Sequence, residues 1–305
     1  MSNLIDKEMH CKKLSEQARA AVRLLLEPEQ KDLGGFTVRR LLPTAEVRSV
    51  GPFIFFDHVG PATFPPGKGI DIRPHPHIGL ATITYVFEGE ILHRDSLGSV
   101  QHIRTNEINW MTAGRGISHS ERTPPDLRRK EHRLHGLQLW VALPGEDEQT
   151  EPFFAHYDSG ALPLLEAEGV RIRVMVGRAY GLVSQVKTHS PTLYVEISLA
   201  AGKSVAVPDQ VEECAIYMVS GCLRVGAGLV PEHTMAILDQ TRPIELVAQE
   251  ACRLVIIGGS PLGKRTMWWN LVATRKDLLE QAKQAWRDRS FPQVPEETDY
   301  IPLPE

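Results

Sequence analysis

Hydrophobic and polar residues alternate along this chain with two different periods. Over residues 6–26 the apolar positions recur at helical spacing without an intervening Gly or Pro, which predicts an amphipathic helix. After Gly35 they form short alternating runs separated by Gly and Pro, which is typical of strands joined by turns. The predicted strands are 36–42, 53–56, 81–87, 91–94, 107–111, 170–176, 192–199, 214–219, 222–225, 234–238 and 253–257. A helical pattern returns at 276–289, so the chain is predicted to be all-β, a barrel or sandwich, with a short N-terminal helix and a C-terminal helix.

Two turn-rich segments, 144–148 and 157–160, divide this β texture. We therefore predict a helical extension over 1–34, a first β-domain over 35–158, and a second β-domain with the C-terminal helix and tail over 159–305. Residues 84–91 and 216–223 resemble each other, because both consist of a strand, a Gly turn and another strand. This weak echo favours two copies of one β-fold.

Composition and charge exclude several classes of function. A formal net charge of −4 argues against contact with a nucleic-acid backbone, so no direct nucleic-acid binding is expected. No apolar run reaches the ~20 residues that a membrane span requires, and neither a membrane segment nor a signal peptide is predicted. The four cysteines lack paired spacing, which predicts reduced thiols and a cytoplasmic protein. Phosphate-binding loops and serine-nucleophile elbows are not seen in the sequence.

Two short motifs carry the candidate chemistry. Since strand residues at i and i+2 share a face, His75 and His77 project together from one strand, and His119 and Glu121 from another. If the two strands face each other across a small barrel, three imidazoles and one carboxylate converge. That donor set suits Fe(II), Mn(II), Co(II), Ni(II), Cu(II) or Zn(II). A lone pair of histidines at this spacing is more often structural, and it is the second motif that favours a metal site.

The glycines and histidines around these motifs resemble the two motifs of the cupin superfamily. Residues 78–81 cannot ligate a metal where a cupin Glu is usual, and the carboxylate stands instead at Glu121. This relocation resembles the pirin family, a branch with two cupin barrels. The stretches that carry the resemblance are 56–58, 74–79, 84–86, 88–89, 93–98 and, above all, the twelve-residue block 110–121. Ile78 and Leu80 stand where Arg and Phe are frequent in the family, which bears on substrate preference.

The resemblance implies a ligand set and an activity. It places the metal ligands at His75, His77, His119 and Glu121, in the first of two barrels. It implies one divalent metal, with Fe(II) expected and Mn, Ni, Co, Cu or Zn still open. The second barrel is expected to have no metal site. Some family members open the flavonol ring of quercetin with dioxygen and release carbon monoxide, which implies a planar aromatic substrate and Glu121 as catalytic base. Other members are regulators that act through protein partners.

Several alternatives remain open from sequence alone. A non-enzymatic, iron-dependent regulator with a protein partner is the main rival, followed by another cupin chemistry and a closed structural metal site. His58 and His93 are weaker candidates for orienting a ligand. Trp110 and Met111 are predicted to be core residues. Gly114 and Gly116 are predicted to allow a positive φ or a close backbone approach before the strand that carries His119.

Overall fold

The structure, a computed structural model, describes residues 21–33 and 35–304. The chain divides into two compact units, each built around antiparallel sheets. Among the described residues, the first barrel comprises 30–33, 35–43, 53–161 and 262–304, and the second comprises 21–29, 44–52 and 162–261. Among the described residues, no helix is long and apolar enough to span a membrane.

The first barrel consists of a seven-stranded and a four-stranded sheet, with a short β-hairpin and two helices. The strands of this barrel are β2 (Glu29–Asp32), β3 (Thr37–Leu42), β4 (Phe53–Phe64), β5 (Asp71–His77), β6 (Leu80–Glu88), β7 (Glu90–Asp95), β8 (Val100–Arg104), β9 (Ile108–Thr112), β10 (Ile117–Arg122), β11 (His132–Ala142), β12 (Phe153–Tyr157), β25 (Thr266–Trp268) and β26 (Leu271–Ala273). The large sheet has the strand order β12-β9-β6-β11-β4-β3-β2, and the small sheet β5-β10-β7-β8. The helices are α1 (Pro125–Arg128) and α2 (Lys276–Arg287).

The second barrel repeats this pairing of a large and a small sheet. Its strands are β1 (Val22–Leu26), β13 (Leu164–Ala167), β14 (Val170–Val176), β15 (Arg178–Ala179), β16 (Leu182–Val183), β17 (Thr192–Leu199), β18 (Ser204–Ala206), β19 (Glu213–Ser220), β20 (Leu223–Val225), β21 (Gly228–Val230), β22 (Met235–Leu238), β23 (Glu245–Ala248) and β24 (Cys252–Gly259). The sheets have the orders β1-β22-β19-β24-β17-β14-β13 and β18-β23-β20-β21, beside a small β15-β16 hairpin. Its core is filled by apolar side chains, among them Val174, Val195, Ile216, Met218, Leu254 and Ile256.

The internal echo in the sequence corresponds to the same turn in both barrels. In the first barrel β6 belongs to the large sheet and β7 to the small one, and Gly89 lies between them with φ 94°. In the second barrel β19 and β20 are related in the same way around Gly221, with φ 78°. Because only glycine adopts such a backbone readily, the turn that carries the chain from one sheet to the other has the same signature in both units.

Two predictions about the chain ends need correction. The predicted helix over 6–26 is wrong over Val22–Leu26, which pairs as a strand with Met235–Leu238, while residues 6–20 lie outside the described part. Buried residues four apart, such as Val22 and Leu26, fit one strand face as well as one helix face, and pairing with a sheet edge decided between them. The C-terminal helix, predicted to belong with the second barrel, belongs to the first barrel, where it packs through Leu279, Ala282 and Trp286.

Candidate metal centre

The predicted histidines lie on paired neighbouring strands of the small sheet in the first barrel. Strand β10 runs between β5 and β7, and His119 stands opposite His75 on one side and Asp95 on the other. Glu121 stands opposite His93. Since directly opposed residues share a face and alternate residues on one strand do too, all of these side chains lie on one face of the sheet.

The three imidazoles are buried and close together. One ligand atom from each of His75, His77 and His119 lies within 4.8 Å of the others, and Nε2 of His77 is 3.1 Å from Nε2 of His119. Two nitrogens bound at about 2.1 Å to one ion at a right angle would lie about 3.0 Å apart. The three histidines can therefore hold a metal ion.

Hydrogen bonds determine which ring nitrogen is available in two of the histidines. Nδ1 of His75 lies 2.9 Å from the carbonyl oxygen of Arg73, and Nδ1 of His77 lies 3.1 Å from that of Asn270. A carbonyl can only accept, so each Nδ1 carries the proton and each neutral ring presents the Nε2 lone pair to the cluster.

The third histidine shows why this cluster fits a cation. Nε2 of His119 faces the Nε2 lone pair of His77, and its Nδ1 lies 3.4 Å from Nδ1 of His93. A neutral imidazole has one N–H and cannot donate in both directions, so a metal ion at Nε2 would supply the missing partner. A proton is a poor substitute, because burial and the neighbouring rings lower the pKa of His119 well below 6.5.

The other two rings are also held neutral. Burial lowers the pKa of His75 to about 4, and burial followed by the proximity of His75 lowers the pKa of His77 well below its usual value. Metal binding requires deprotonated ligands, so near neutral pH these rings are already in the binding form.

Glu121 is buried in the wall of the same cavity, outside the group of three histidines. Its Oε1 accepts a hydrogen bond from the Thr84 hydroxyl at 3.1 Å, and the same hydroxyl lies 2.9 Å from Oε1 of Gln138. Burial raises the pKa of Glu121, while His93 and Thr84 act in the opposite direction. A carboxyl with such surroundings is suited to proton transfer.

The histidines open onto a cavity of about 200 Å³ with mostly apolar walls. Trp140 meets His77 edge-on at 5.1 Å between ring centres and stacks on Phe55 at 4.0 Å. Trp269, Asn270 and Ile301, from the C-terminal segment, complete the wall.

A row of polar side chains crosses the large sheet at the cavity, and sequence analysis did not single it out. Arg40, Asp57, Gln138 and Thr84 are consecutive register partners on β3, β4, β11 and β6. Arg40 binds Asp57 through two hydrogen bonds of 2.8 and 2.7 Å, and its guanidinium lies 4.5 Å from the centre of the Phe55 ring. Polar residues within otherwise apolar strands were the available signal.

The weaker candidates have mixed outcomes. His93 contacts His119, whereas His58 pairs with His135 at 2.6 Å. Trp110 and Met111 are buried, which confirms their predicted core role. Gly114 and Gly116 both have positive φ, at 51° and 155°, as predicted.

Ile78 and Leu80, the departures from the common family pattern, are also buried in apolar clusters, and neither is among the residues that line the cavity. Arg115 pairs with Glu151 at the surface.

Comparison with known proteins agrees with this architecture. The Pirin family model matches residues 35–141, and the model for the Pirin C-terminal cupin domain matches residues 194–292. A pirin-like protein of Caulobacter vibrioides is 44% identical over 93% of this chain and 100% of its own length. The crystal structure of a quercetin 2,3-dioxygenase from Acinetobacter baumannii is 34% identical, with a TM-score of 0.85 over 92% of this chain and 95% of that one.

A bacterial pirin of Escherichia coli, solved in complex with nickel(II), shares the fold at 19% identity and a TM-score of 0.62 over 78% of this chain and 99% of that one. Two matching domain models and a relative of full length lead to one conclusion: this chain is a member of the pirin family, with two cupin domains.

Proposed function

We propose that this protein is a metal-dependent oxygenase of the quercetin 2,3-dioxygenase type, which cleaves a flavonol or a similar planar diol with dioxygen. The observation that carries the proposal is the convergence of three buried imidazoles on one wall of an aromatic-lined cavity. The similarity to the Acinetobacter baumannii quercetin 2,3-dioxygenase supports the same reaction class.

In this proposal His75, His77, His119 and Glu121 hold one divalent metal, with Fe(II) as the expected ion. Three imidazoles and one carboxylate leave one or two positions open on a five- or six-coordinate ion, unlike a closed structural site. When bound, the metal supplies Lewis-acid and template chemistry for two adjacent oxygens of a substrate.

Glu121 is the proposed general base for the substrate hydroxyl. Its carboxyl is buried, and its Oε1 accepts from the Thr84 hydroxyl, which holds the group in one orientation within the cavity. Because burial raises its pKa, Glu121 holds a proton more readily than an exposed carboxylate does. The Thr84 hydroxyl also lies 2.9 Å from the amide oxygen of Gln138.

The remaining wall favours a flat aromatic substrate. The stacked rings of Trp140 and Phe55 provide an apolar surface beside His77. Arg40, which lies over Phe55, adds a cationic donor to the same cavity. At about 200 Å³ the cavity is smaller than the typical site for a drug-sized ligand, which spans roughly 300–1,000 Å³, so a small molecule fits better than a bulky one.

The test is turnover of quercetin by protein loaded anaerobically with Fe(II) and then exposed to oxygen. Loss of flavonol absorbance with release of carbon monoxide is the expected result, and His77→Ala should abolish it. His102→Ala is the matched control, because His102 lies on β8 of the same barrel with a half-exposed side chain and does not line the cavity.

Glu121→Gln removes the carboxylate that is both proposed ligand and proposed base, while its amide oxygen can still accept from Thr84, so turnover is compared at equal bound metal. This variant should lower turnover while the substrate still binds. Equal turnover in wild type and His77→Ala would refute the proposal. Metal binding without any turnover would instead favour a regulator that acts through a protein partner.

A further inference from the structure

We propose that Asp95 and His93 form a positioning relay that fixes the ring tautomer of His119 and thereby directs its Nε2 lone pair to the metal. The inference rests on the metal site of the proposed function and does not depend on the oxygenase reaction. All three side chains are buried, on two adjacent strands of the small sheet.

Asp95 has a fixed orientation. Its Oδ1 accepts hydrogen bonds from the backbone N–H groups of Leu97 and Ser99, at 2.9 and 3.0 Å. Its Oδ2 lies 3.1 Å from Nε2 of His93. Since a carboxylate oxygen accepts, Nε2 of His93 carries a proton, and in the proposed relay the ring keeps its lone pair on Nδ1.

That lone pair faces the metal ligand. Nδ1 of His93 is 3.4 Å from Nδ1 of His119, and the His93 ring is held in place by stacking on Phe154, with 4.6 Å between ring centres. As an acceptor, His93 requires His119 to carry its proton on Nδ1. The Nε2 of His119, which faces Nε2 of His77, is then free to bind the ion.

Substitution of Asp95 by Asn preserves the shape of the side chain but reverses the direction of the hydrogen bonds from Asp95 through His93 to His119. The N–H groups of Leu97 and Ser99 require an oxygen, so the amide oxygen takes the Oδ1 position and the NH₂ group faces His93. Nε2 of His93 must then accept, and its proton moves to Nδ1. Two N–H groups would meet between His93 and His119 whenever His119 binds a metal through Nε2, so the ion is held less tightly.

Zinc affinity tests the relay in the full-length protein. Competition with a chromophoric chelator should show that Asp95→Asn binds Zn(II) roughly 10- to 100-fold more weakly than wild type, the range known for partners of metal-bound histidines. The matched control is Asp158→Asn, because Asp158 Oδ1 also accepts from two nearby backbone N–H groups, those of Gly160 and Ala161, in the same barrel. Its zinc affinity should equal that of wild type.

Two further variants separate hydrogen-bond polarity from packing. His93→Gln can present an oxygen to His119 and an N–H group to Asp95, so it should retain affinity close to wild type. His93→Phe preserves the stacking surface for Phe154 but offers no acceptor, and it should bind zinc as weakly as Asp95→Asn.

Long-range ¹H–¹⁵N spectra of the zinc-loaded wild type should show the His93 proton on Nε2. This result does not depend on any variant that might fold poorly. A proton on Nδ1 of His93, or equal zinc affinity in Asp95→Asn and wild type, would overturn the relay and leave the oxygenase proposal standing. A wild-type protein that binds no zinc would overturn the metal site as well.

Discussion

The buried imidazole of His75 makes the stability of the metal-free protein depend on pH. Burial lowers the pKa of His75 to about 4 in the folded protein, from an ordinary value of 6.5. Between these values the unfolded chain binds a proton that the folded chain does not, so the free energy of unfolding falls as the pH falls from 6.5 towards 4. At about 1.36 kcal/mol per pH unit, the free energy of unfolding lost through His75 is about 2 kcal/mol at pH 5 and reaches about 3.4 kcal/mol below pH 4.

The assay is urea denaturation of chelator-treated protein at about pH 7.5 and about pH 5. His75→Gln removes the titrating group and keeps a polar side chain of similar length. Between the two pH values the wild type should lose about 2 kcal/mol more unfolding free energy than this variant does. His102→Gln is the control for replacing a histidine of the same barrel that does not line the cavity. Parallel profiles for wild type and His75→Gln would refute the reasoning.

Two further predictions concern ion binding and the turn before the His119 strand. Free Zn(II) at a hundredfold excess over its dissociation constant should raise the unfolding free energy by about 2.7 kcal/mol in thermal or urea denaturation, and His77→Ala should show no such gain. A left-handed backbone alone costs a non-glycine residue about 1–2 kcal/mol. Gly114→Ala should lower the unfolding free energy by clearly more than this, because its Cβ would overlap the carbonyl oxygen of Thr150. Gly98→Ala, with φ 87° and no atom within 4 Å of its Cβ, should lose only that cost in the same urea assay, and equal losses would contradict the argument.

Much of the fold was predictable because strand patterns are local. The predicted strands 170–176 and 192–199 agree with β14 and β17 residue for residue, and the predicted helix at 276–289 contains α2. The error at Val22–Leu26 arose from an apolar spacing that suits either structure until a sheet edge is present to pair with. The assignment of the C-terminal helix to a barrel depended on long-range packing, which the sequence pattern does not contain.

The candidate site was predictable to a similar extent. The proximity of His75 to His77 follows from the i, i+2 rule, and the second motif supplied His119. Their role as ligands, together with that of Glu121, stays a prediction. Of the partners that orient them, His93 was a candidate from the sequence, but its contact with His119 across neighbouring strands was not predictable, nor was the carbonyl of Asn270, 193 residues away from His77. The pairing register of the strands and the packing of the C-terminal segment against the first barrel determine these contacts. No local sequence pattern indicates either of them.

The hydrogen bond from His77 to Asn270 has a consequence for the order of synthesis. A ribosome makes His77 early, yet the carbonyl that holds its ring belongs to a segment translated 193 residues later, after the second barrel. Trp269 and Ile301, which help to wall the cavity, also come from that late segment. The nascent first barrel therefore has its histidines long before it has their full surroundings. For the proposed metal site, tight loading would therefore be a late event, which follows translation of nearly the whole chain.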